Sequence, residues 1–318
     1  MSPRFISAAE LRAALTFIDL IEPVAEAFRL HSAGRAENGM IVTWPLDDKA
    51  RGDVYVKSGV LKGHSHYIVK VSPWSAHTAE HGLPQGGVVM VFDAVTGSTT
   101  AILDDQHYLS DIRTAAAGAL AARYLAPQKV TTATVLGAGV QAWLQPQALF
   151  HERRFDRLLI WARDPAKAEA LRQRLAPVLP DVTIEVASDR EAAVRACDVL
   201  MTCTQSTEPL VKGDWLHPGQ HITAVGADDV SKCELDADVL NRARVFVDDR
   251  AITLAHGDVH RAVASGRYTE AQIAGEIGQL IAGGVGGRQA GDITVAKFVG
   301  IGAQDVAAAE TALARISA

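Results

Sequence analysis

The sequence predicts an α/β protein built from a Rossmann-type doubly wound parallel sheet plus a mixed α/β domain. Three observations carry that expectation. From about residue 130 onward, short apolar runs alternate with helical segments, the rhythm of a parallel sheet with crossover helices. The first of those runs, VTTATVL, leads straight into a glycine turn, GAGVQA. Between residues 40 and 103 the pattern differs: closely spaced β-rich runs broken by turn residues, as in an antiparallel or mixed sheet.

Taken in order, Ser7 and Glu10 form a capping-box pattern that opens a helix, and Thr16 with Asp19 repeats it. Val24, Ala27, Phe28 and Leu30 give the second helix an apolar face, and Gly34 stops it. The strands MIVTW, DVYVKSGVL, HYIVKVS, GVVMVFDA and TTAILD follow, with turns at Asp47-Asp48, Lys62-Gly63 and Thr96-Gly97. Ser110 reads as the cap of a long Ala-rich helix, DIRTAAAGALAARYLA, that Pro127 ends. The alternation then runs through LLIWARD, VTIEVA, DVLMTCTQ, HITAVGAD and ARVFVDD. A strand, a glycine turn and a last helix close the chain, and that helix is expected to return to the first domain. The expected division is 1–118 with 303–318 for the mixed domain and 119–302 for the dinucleotide-binding domain.

Composition removes several classes of function. At 48% apolar and 21% charged residues, the chain has the material for a globular core. A net charge of -6 without a basic stripe argues against nucleic acid and anionic membranes as partners. An anionic substrate would meet an unfavourable overall field, so its site must be a local group of placed cations. No apolar stretch reaches the ~20 residues of a membrane span. The opening MSPRFISAAELRAAL lacks the apolar region of a secretory signal. Cys197, Cys203 and Cys233 have no metal or redox spacing, which suits reduced thiols and a cytoplasmic protein. Cys197 and Cys203 flank an apolar run and read as small core residues.

The glycine turn carries the first chemistry. In Gly137, Ala138, Gly139, Val140, Gln141 and Ala142, the first glycine permits a tight turn and the second admits a pyrophosphate to the backbone. The third small residue lets helix and strand pack closely. A bare GxGxxA is a weak signal, but here it stands between a strand and a helix, as the chemistry requires. At the end of the next strand, Ala162 and Arg163 occupy the place that selects the cofactor. An arginine suits the 2′-phosphate of NADP(H), whereas Asp164, one residue on, would suit the ribose of NAD(H). NADP(H) is favoured and NAD(H) possible; the bland alternative for Arg163 is a solvated charge. Thr202, Thr204, Val225, Gly226, Lys297, Val299 and Gly300, at later strand ends, complete the candidate cofactor residues. His256 and His260 have helical metal-ligand spacing, but Gly257 weakens the helix and no third ligand accompanies them, so no metal is expected.

Several segments together resemble the ornithine cyclodeaminase/mu-crystallin family: HYIVKVSPW, GLPQGGVVMVFDAVTG, LSDIRTAAAGALAARYLA, VLGAGVQA, LHPGQHITAVGADDVSKCELD and GRQAGDITVAKFVG. They run in family order over most of the chain. The resemblance implies a homodimer, a substrate-binding and dimerisation domain beside the Rossmann domain, and chemistry at the α-carbon of amino or imino acids. That chemistry is ketimine reduction or amino-acid dehydrogenation, cyclodeamination with ammonia release, or cofactor-dependent binding of a small molecule without turnover. It implies that Arg113 binds the substrate carboxylate, that Lys70 binds it or assists proton transfer, and that Asp228 is the catalytic acid–base. The bland alternatives are a helix salt bridge, a sheet-surface charge and a helix cap. Three features depart from the family, one being Asp229-Val230-Ser231 in place of the Gly- or Pro-containing turn of several cyclodeaminases. No arginine stands between Met40 and Pro45, where many members have a second carboxylate ligand, and Arg35 is the nearest. The loop after Lys70 is unusual, so Trp74 and His77 are expected to shape the substrate pocket.

Overall fold

The computed structural model describes residues 2–317, and the chain separates into two compact units. The first contains the residues up to Ala116 together with those from Ile301 on; the second runs from Ala117 to Gly300.

In the first unit, strand β1 (Arg4–Ile6) is followed by helices α1 (Ala8–Ala14) and α2 (Phe17–Ser32). Both capping boxes form: Glu10 accepts from the Ser7 backbone and Asp19 from that of Thr16, each at 2.8 Å. Five antiparallel strands follow: β2 (Ala36–Thr43), β3 (Gly52–Leu61), β4 (His66–Ser75), β5 (Val88–Asp93) and β6 (Thr99–Asp104). The spatial order is β1-β6-β5-β4-β3-β2, with β1 joining β6 in parallel, so the sheet is mixed. One face of it buries Ile68, Val89, Val91, Ala101 and Leu103. The C-terminal helix, Gly302–Ser317, packs on α2, β3 and β4.

Two local expectations needed correction. The strand expected to begin at Met40 begins at Ala36, because its ladder with β3 extends to the pair Ala36 and Leu61. Ser110 is not a helix cap, since helix α4 (Tyr108–Leu125, after the short α3, Ala76–Glu80) already includes it. The chain turns into α4 through Gln106 and His107, both at positive φ (45° and 65°), and Asp105 accepts from the Leu109 amide at 2.7 Å. Two adjacent non-glycine residues in that region are a local strain that the surrounding structure must hold.

The second unit is an eight-stranded sheet, parallel throughout. Its strands are β7 (Thr132–Leu136), β8 (Arg157–Trp161), β9 (Thr183–Val186), β10 (Val199–Thr202), β11 (His221–Ala224), β12 (Arg244–Val247), β13 (Ile273–Glu276) and β14 (Thr294–Lys297). Read from β9, the order β9-β8-β7-β10-β11 follows the first five places of the 3-2-1-4-5-6 order of a dinucleotide-binding sheet; the last strand in the chain, β14, takes the next place, and β12 and β13 lie beyond it. Strands β7, β10, β11 and β14 are buried along their whole length, as expected where both faces carry helices. The order reverses between β7 and β10, and ligands of such sheets bind beyond the strand ends at that point. Among the described residues no helix is long and apolar enough to cross a membrane.

Candidate functional site

In the first unit, β4, α4 and the C-terminal helix bring a charged group together out of solvent. Lys70, only 2% exposed, donates to Ser110 Oγ at 2.9 Å and to Asp305 Oδ1 at 2.8 Å. Arg113 reaches the same Oδ1 through Nε at 3.3 Å, and its Nη1 donates to Thr114 Oγ1 at 2.7 Å. Lys70 and Arg113 therefore share one carboxylate that lies 235 residues from the lysine in the chain. Burial pulls the Lys70 ammonium below the ordinary lysine range, with Asp305 opposing it. For Asp305, burial alone would raise the carboxyl; the charges of Lys70, Arg113 and Lys57 outweigh it and hold the group below its usual value. Asp105 lies fully buried nearby, and burial pushes its carboxyl up against the pull of Lys70. Strained His107 anchors the approach to α4, its Nε2 2.7 Å from the Pro73 carbonyl. The sequence reading found Lys70 and Arg113 but missed Asp305, Ser110 and Asp105. Trp74 is half-buried at the end of β4. His77 is exposed, with its ring 4.2 Å from that of His81, so the structure does not bring it into this cluster.

In the second unit, the glycine turn leaves β7 and enters helix α5 (Val140–Glu152). Gly137 sits at φ +122°, and a Cβ there would stand 2.6 Å from the Cys203 carbonyl oxygen, so both its angle and its neighbour demand glycine. Gly139, the N-cap of α5, opens onto space: a Cβ there would meet nothing within 4 Å. Ala142 is fully buried where α5 packs on β7. Val140 is half-exposed and Gln141 accepts from Gln145 at 3.1 Å. A phosphate would therefore find uncovered helix N–H groups and an open approach, which fits a dinucleotide. After β8, Arg163 is exposed, while Asp164 caps helix α6 (Pro165–Leu175) by accepting from the Ala166 amide at 3.0 Å.

The remaining cofactor candidates are arranged by buried acids that the sequence reading missed. Glu234 accepts from Thr202 Oγ1 (2.8 Å), from the Thr204 amide (2.6 Å) and hydroxyl (2.8 Å), and from the Gly226 amide (2.9 Å), binding two strand ends together. Val225 joins them through its amide to the Thr202 carbonyl at 3.0 Å. Asp248 holds the Val299 and Gly300 amides at 2.9 and 2.6 Å. Lys297 requires a correction: it is fully buried with its ammonium 3.0 Å from Asp258, itself the acceptor for the Glu234 and Leu235 amides. Its charge supports the scaffold and is not displayed to a ligand. Asp228, in the loop after β11, is about one-third exposed and pairs with Lys232 at 2.6 Å, a partner not foreseen from the sequence. Neighbouring Asp229 folds the loop by accepting from the Ser231 and Lys232 amides.

Among the described residues no three His, Cys, Asp or Glu side chains group to hold a metal ion, and the His260 ring bonds the Leu254 carbonyl at 2.9 Å. Cys197 is buried as expected, but Cys203 is only partly so. Burial pushes the Cys197 thiol up to about 11 and that of Cys203 well above its ordinary value, so neither is a ready nucleophile.

A model of the ornithine cyclodeaminase/mu-crystallin family matches residues 1–318. Among known proteins, an uncharacterized cyclodeaminase of Sinorhizobium fredii is 36% identical over 317 residues, 98% of this chain and 95% of that protein. Among solved structures, the Thermococcus litoralis Δ1-pyrroline-2-carboxylate reductase in complex with NADH and L-proline aligns with a TM-score of 0.92 at 26% identity, covering 98% of this chain and 97% of that one. An archaeal alanine dehydrogenase dimer with bound NAD aligns with a TM-score of 0.91 at 28% identity, over 99% and 96%.

Proposed function

The chain belongs to the ornithine cyclodeaminase/mu-crystallin family, and on that premise we propose that it is an NAD(P)H-dependent reductase of small imino acids, acting in reverse as an amino-acid dehydrogenase. The observation that carries the reading is the pair of buried cations sharing one carboxylate, Lys70 and Arg113 on Asp305. Two buried cations converging on one carboxylate oxygen form a group suited to receive an anion, and the guanidinium fork matches a carboxylate. In the second unit, the residues that would hold the dinucleotide are those of the glycine turn, the first turn of α5 and the strand ends tied by Glu234 and Asp248. When bound, the nicotinamide supplies the hydride. Lys70 and Arg113 fix the substrate carboxylate, which sets the position of Cα. Asp228 holds and exchanges the proton on the substrate nitrogen, with Lys232 keeping its carboxylate in place. Positioning is the main contribution of the protein to such chemistry.

Three finer points belong to the same proposal. Cofactor preference is for NADP(H), because Ala162 stands where a ribose-binding acid would be and Asp164 is engaged as a helix cap, leaving the exposed Arg163 for a 2′-phosphate. The protein works in the cytoplasm as a homodimer. The sheet face that does not carry the C-terminal helix presents a cross-strand row of half-exposed apolar residues, Val69, Met90 and Ile102, suited to a second copy. Light scattering should give twice the chain mass, and Met90→Arg should halve it.

The test of function is oxidation of NADPH and NADH with cyclic imino acids and with 2-oxo acids plus ammonia or methylamine. Rapid oxidation that prefers NADPH, and loses that preference in Arg163→Ser, is the expected result. The Sinorhizobium relative's name favours one second reading, cyclodeamination. Ammonia release from a diamino acid with only catalytic NAD, and no oxidation of reduced cofactor by imines, would replace the reductase reading with that one.

A further inference from the structure

In the second unit a cleft of about 470 Å³ opens at the ends of β8 and β9, lined by Trp161, Ser188, Asp189, Arg190, Glu191 and Trp215. Small-molecule sites usually enclose about 300–1,000 Å³, so the cleft is large enough for part of a ligand. The two strand exits lie side by side, since the Ala187 amide donates to the Ile160 carbonyl at 2.8 Å. The cleft also adjoins the glycine turn: the Gly137 amide donates to the Trp161 carbonyl, again at 2.8 Å. Directly after Trp161 come Ala162 and Arg163, the place that selects the cofactor in such sheets. Arg190 is the first residue of helix α7 (Arg190–Arg195). Its guanidinium stands 5.0 Å from the centre of the Trp161 ring and 5.5 Å from that of Trp215, both within the roughly 6 Å reach of a cation–π contact. Such contacts leave the in-plane N–H donors unspent. Nε of Arg190 is closed off from solvent and has no hydrogen-bond acceptor, a condition rare for a buried donor. The acids of the cleft are committed elsewhere. Asp189 caps α7 by accepting from the Glu191 and Ala192 amides at 2.9 and 3.2 Å, and Glu191 pairs with Arg195 at 2.8 Å. Lys212 adds a second cation over the Trp215 ring, at 5.7 Å.

We infer that this cleft takes the phosphorylated adenosine end of the dinucleotide, and that Arg190 is a specificity-determining residue that binds the 2′-phosphate together with Arg163. This rests on the reading that the second unit prefers NADP(H). A phosphate monoester has acceptor oxygens enough for two guanidinium groups, each engaging through parallel N–H donors. The two indole rings hold the Arg190 side chain in place, so little rotamer freedom is lost when the phosphate arrives. Arg163, exposed on its loop, supplies a mobile charge, whereas Arg190 supplies a fixed fork.

The test uses the full-length protein with Arg190→Met, Arg190→Gln and Arg190→Lys. Dissociation constants of NADPH, NADH, adenosine 2′-phosphate and adenosine 5′-phosphate are read from the quenching of indole fluorescence, since Trp161 and Trp215 line the cleft. In Arg190→Met and Arg190→Gln, NADPH and adenosine 2′-phosphate should bind about tenfold or more weakly, while NADH and adenosine 5′-phosphate change less than twofold. Arg190→Lys keeps the charge without the fork and should fall between these and wild type. An unchanged ratio of NADPH to NADH affinity in both neutral variants would overturn the inference and leave the preference to Arg163 alone. Equal losses for NADPH and NADH, or failure of both neutral variants to fold, would overturn it as well, making Arg190 a structural cation. A wild type that prefers NADH would remove the NADP(H) reading and this inference together. If wild type binds NADPH in an Arg190-dependent way yet reduces no imino acid, the reductase reading fails and this inference stands.

Discussion

Replacing Asp305 by Asn removes, at nearly constant volume, the carboxylate that Lys70 and Arg113 share. The carboxylate lies 2.8 Å from Lys70 Nζ and 3.3 Å from Arg113 Nε. At an effective dielectric near 20, those separations correspond to gross attractions of about 6 and about 5 kcal/mol. Desolvation of the ions offsets much of that, and breaking a buried pair from one side typically costs about 3–5 kcal/mol. For a domain of this size the loss lowers the melting temperature by roughly 6–20 °C. Its pH dependence has a definite sign. The Lys70 ammonium is already below its ordinary range in the native protein, and without Asp305 it falls further. A lysine with a depressed native pKa binds fewer protons folded than unfolded, so stability rises with pH until the unfolded value near 10.4 is passed. The deficit of Asp305→Asn should therefore narrow between pH 7 and pH 10. Calorimetry across that range, with and without a saturating small carboxylate, measures both effects, and the variant should gain more from the carboxylate than wild type does. A melting temperature within about 2 °C of wild type, or equal rescue by a carboxamide, would refute the reasoning that this acid is the resident counter-ion of an anion site.

Three further outcomes are expected. Asp228→Asn should lower kcat about 10²- to 10⁴-fold while NADPH affinity stays unchanged, and undiminished turnover would remove Asp228 from the mechanism. Gly137→Ala forces a Cβ toward the Cys203 carbonyl at a backbone angle that L residues avoid. Its dinucleotide affinity should fall at least about tenfold and its stability by more than about 2 kcal/mol, read by titration and urea unfolding. His221 is buried between Thr294 and Thr223, and burial pulls its ring down to about 3. The unfolded chain takes up this proton below about 6.5 and the native protein does not. Stability thus falls as pH drops from about 6.5 toward 3, by about 2 kcal/mol at pH 5. A matching urea-unfolding slope in His221→Gln would show that the loss has another source.

What the sequence made legible and what it concealed differ in physical kind. The glycine turn was readable because its three small residues act through adjacent backbone, so the requirement and its cause lie within six positions. Both capping boxes were readable for the same reason. Lys70 and Arg113 were found through the resemblance of whole segments, since nothing local marks a buried lysine in a strand. Asp305 left no such trace: within QDVAAAE it looks like an ordinary acid in the first turn of a helix, and only the fold brings it to β4. Glu234, Asp248 and Asp258 were concealed likewise, because each acts on amides or hydroxyls from a distant segment of the chain. Lys297 was misread because a lysine at a strand end looks available until its acid partner is known. Ser110 was taken for a cap because the positive φ angles at Gln106 and His107, which allow α4 to start earlier, have no signature in two non-glycine residues.

These concealed acids share a consequence for assembly. The first unit is closed by the last helix of the chain, and that helix carries the carboxylate on which Lys70 and Arg113 converge. Until residue 305 is in place, the sheet must hold Lys57 and Lys70 opposite one another without this counter-ion. Loop closure over more than two hundred residues precedes any such reward, so this contact belongs to the slow, non-local part of folding. The glycine turn depends on a shorter span, from Gly137 to Cys203, and Glu234 closes the adjoining strand ends soon after. The second unit can therefore become ordered while the first still lacks this acid. Lys70 and Arg113 are thus held by an acid from the C-terminal helix, although the segments through which the resemblance named them lie almost entirely before it.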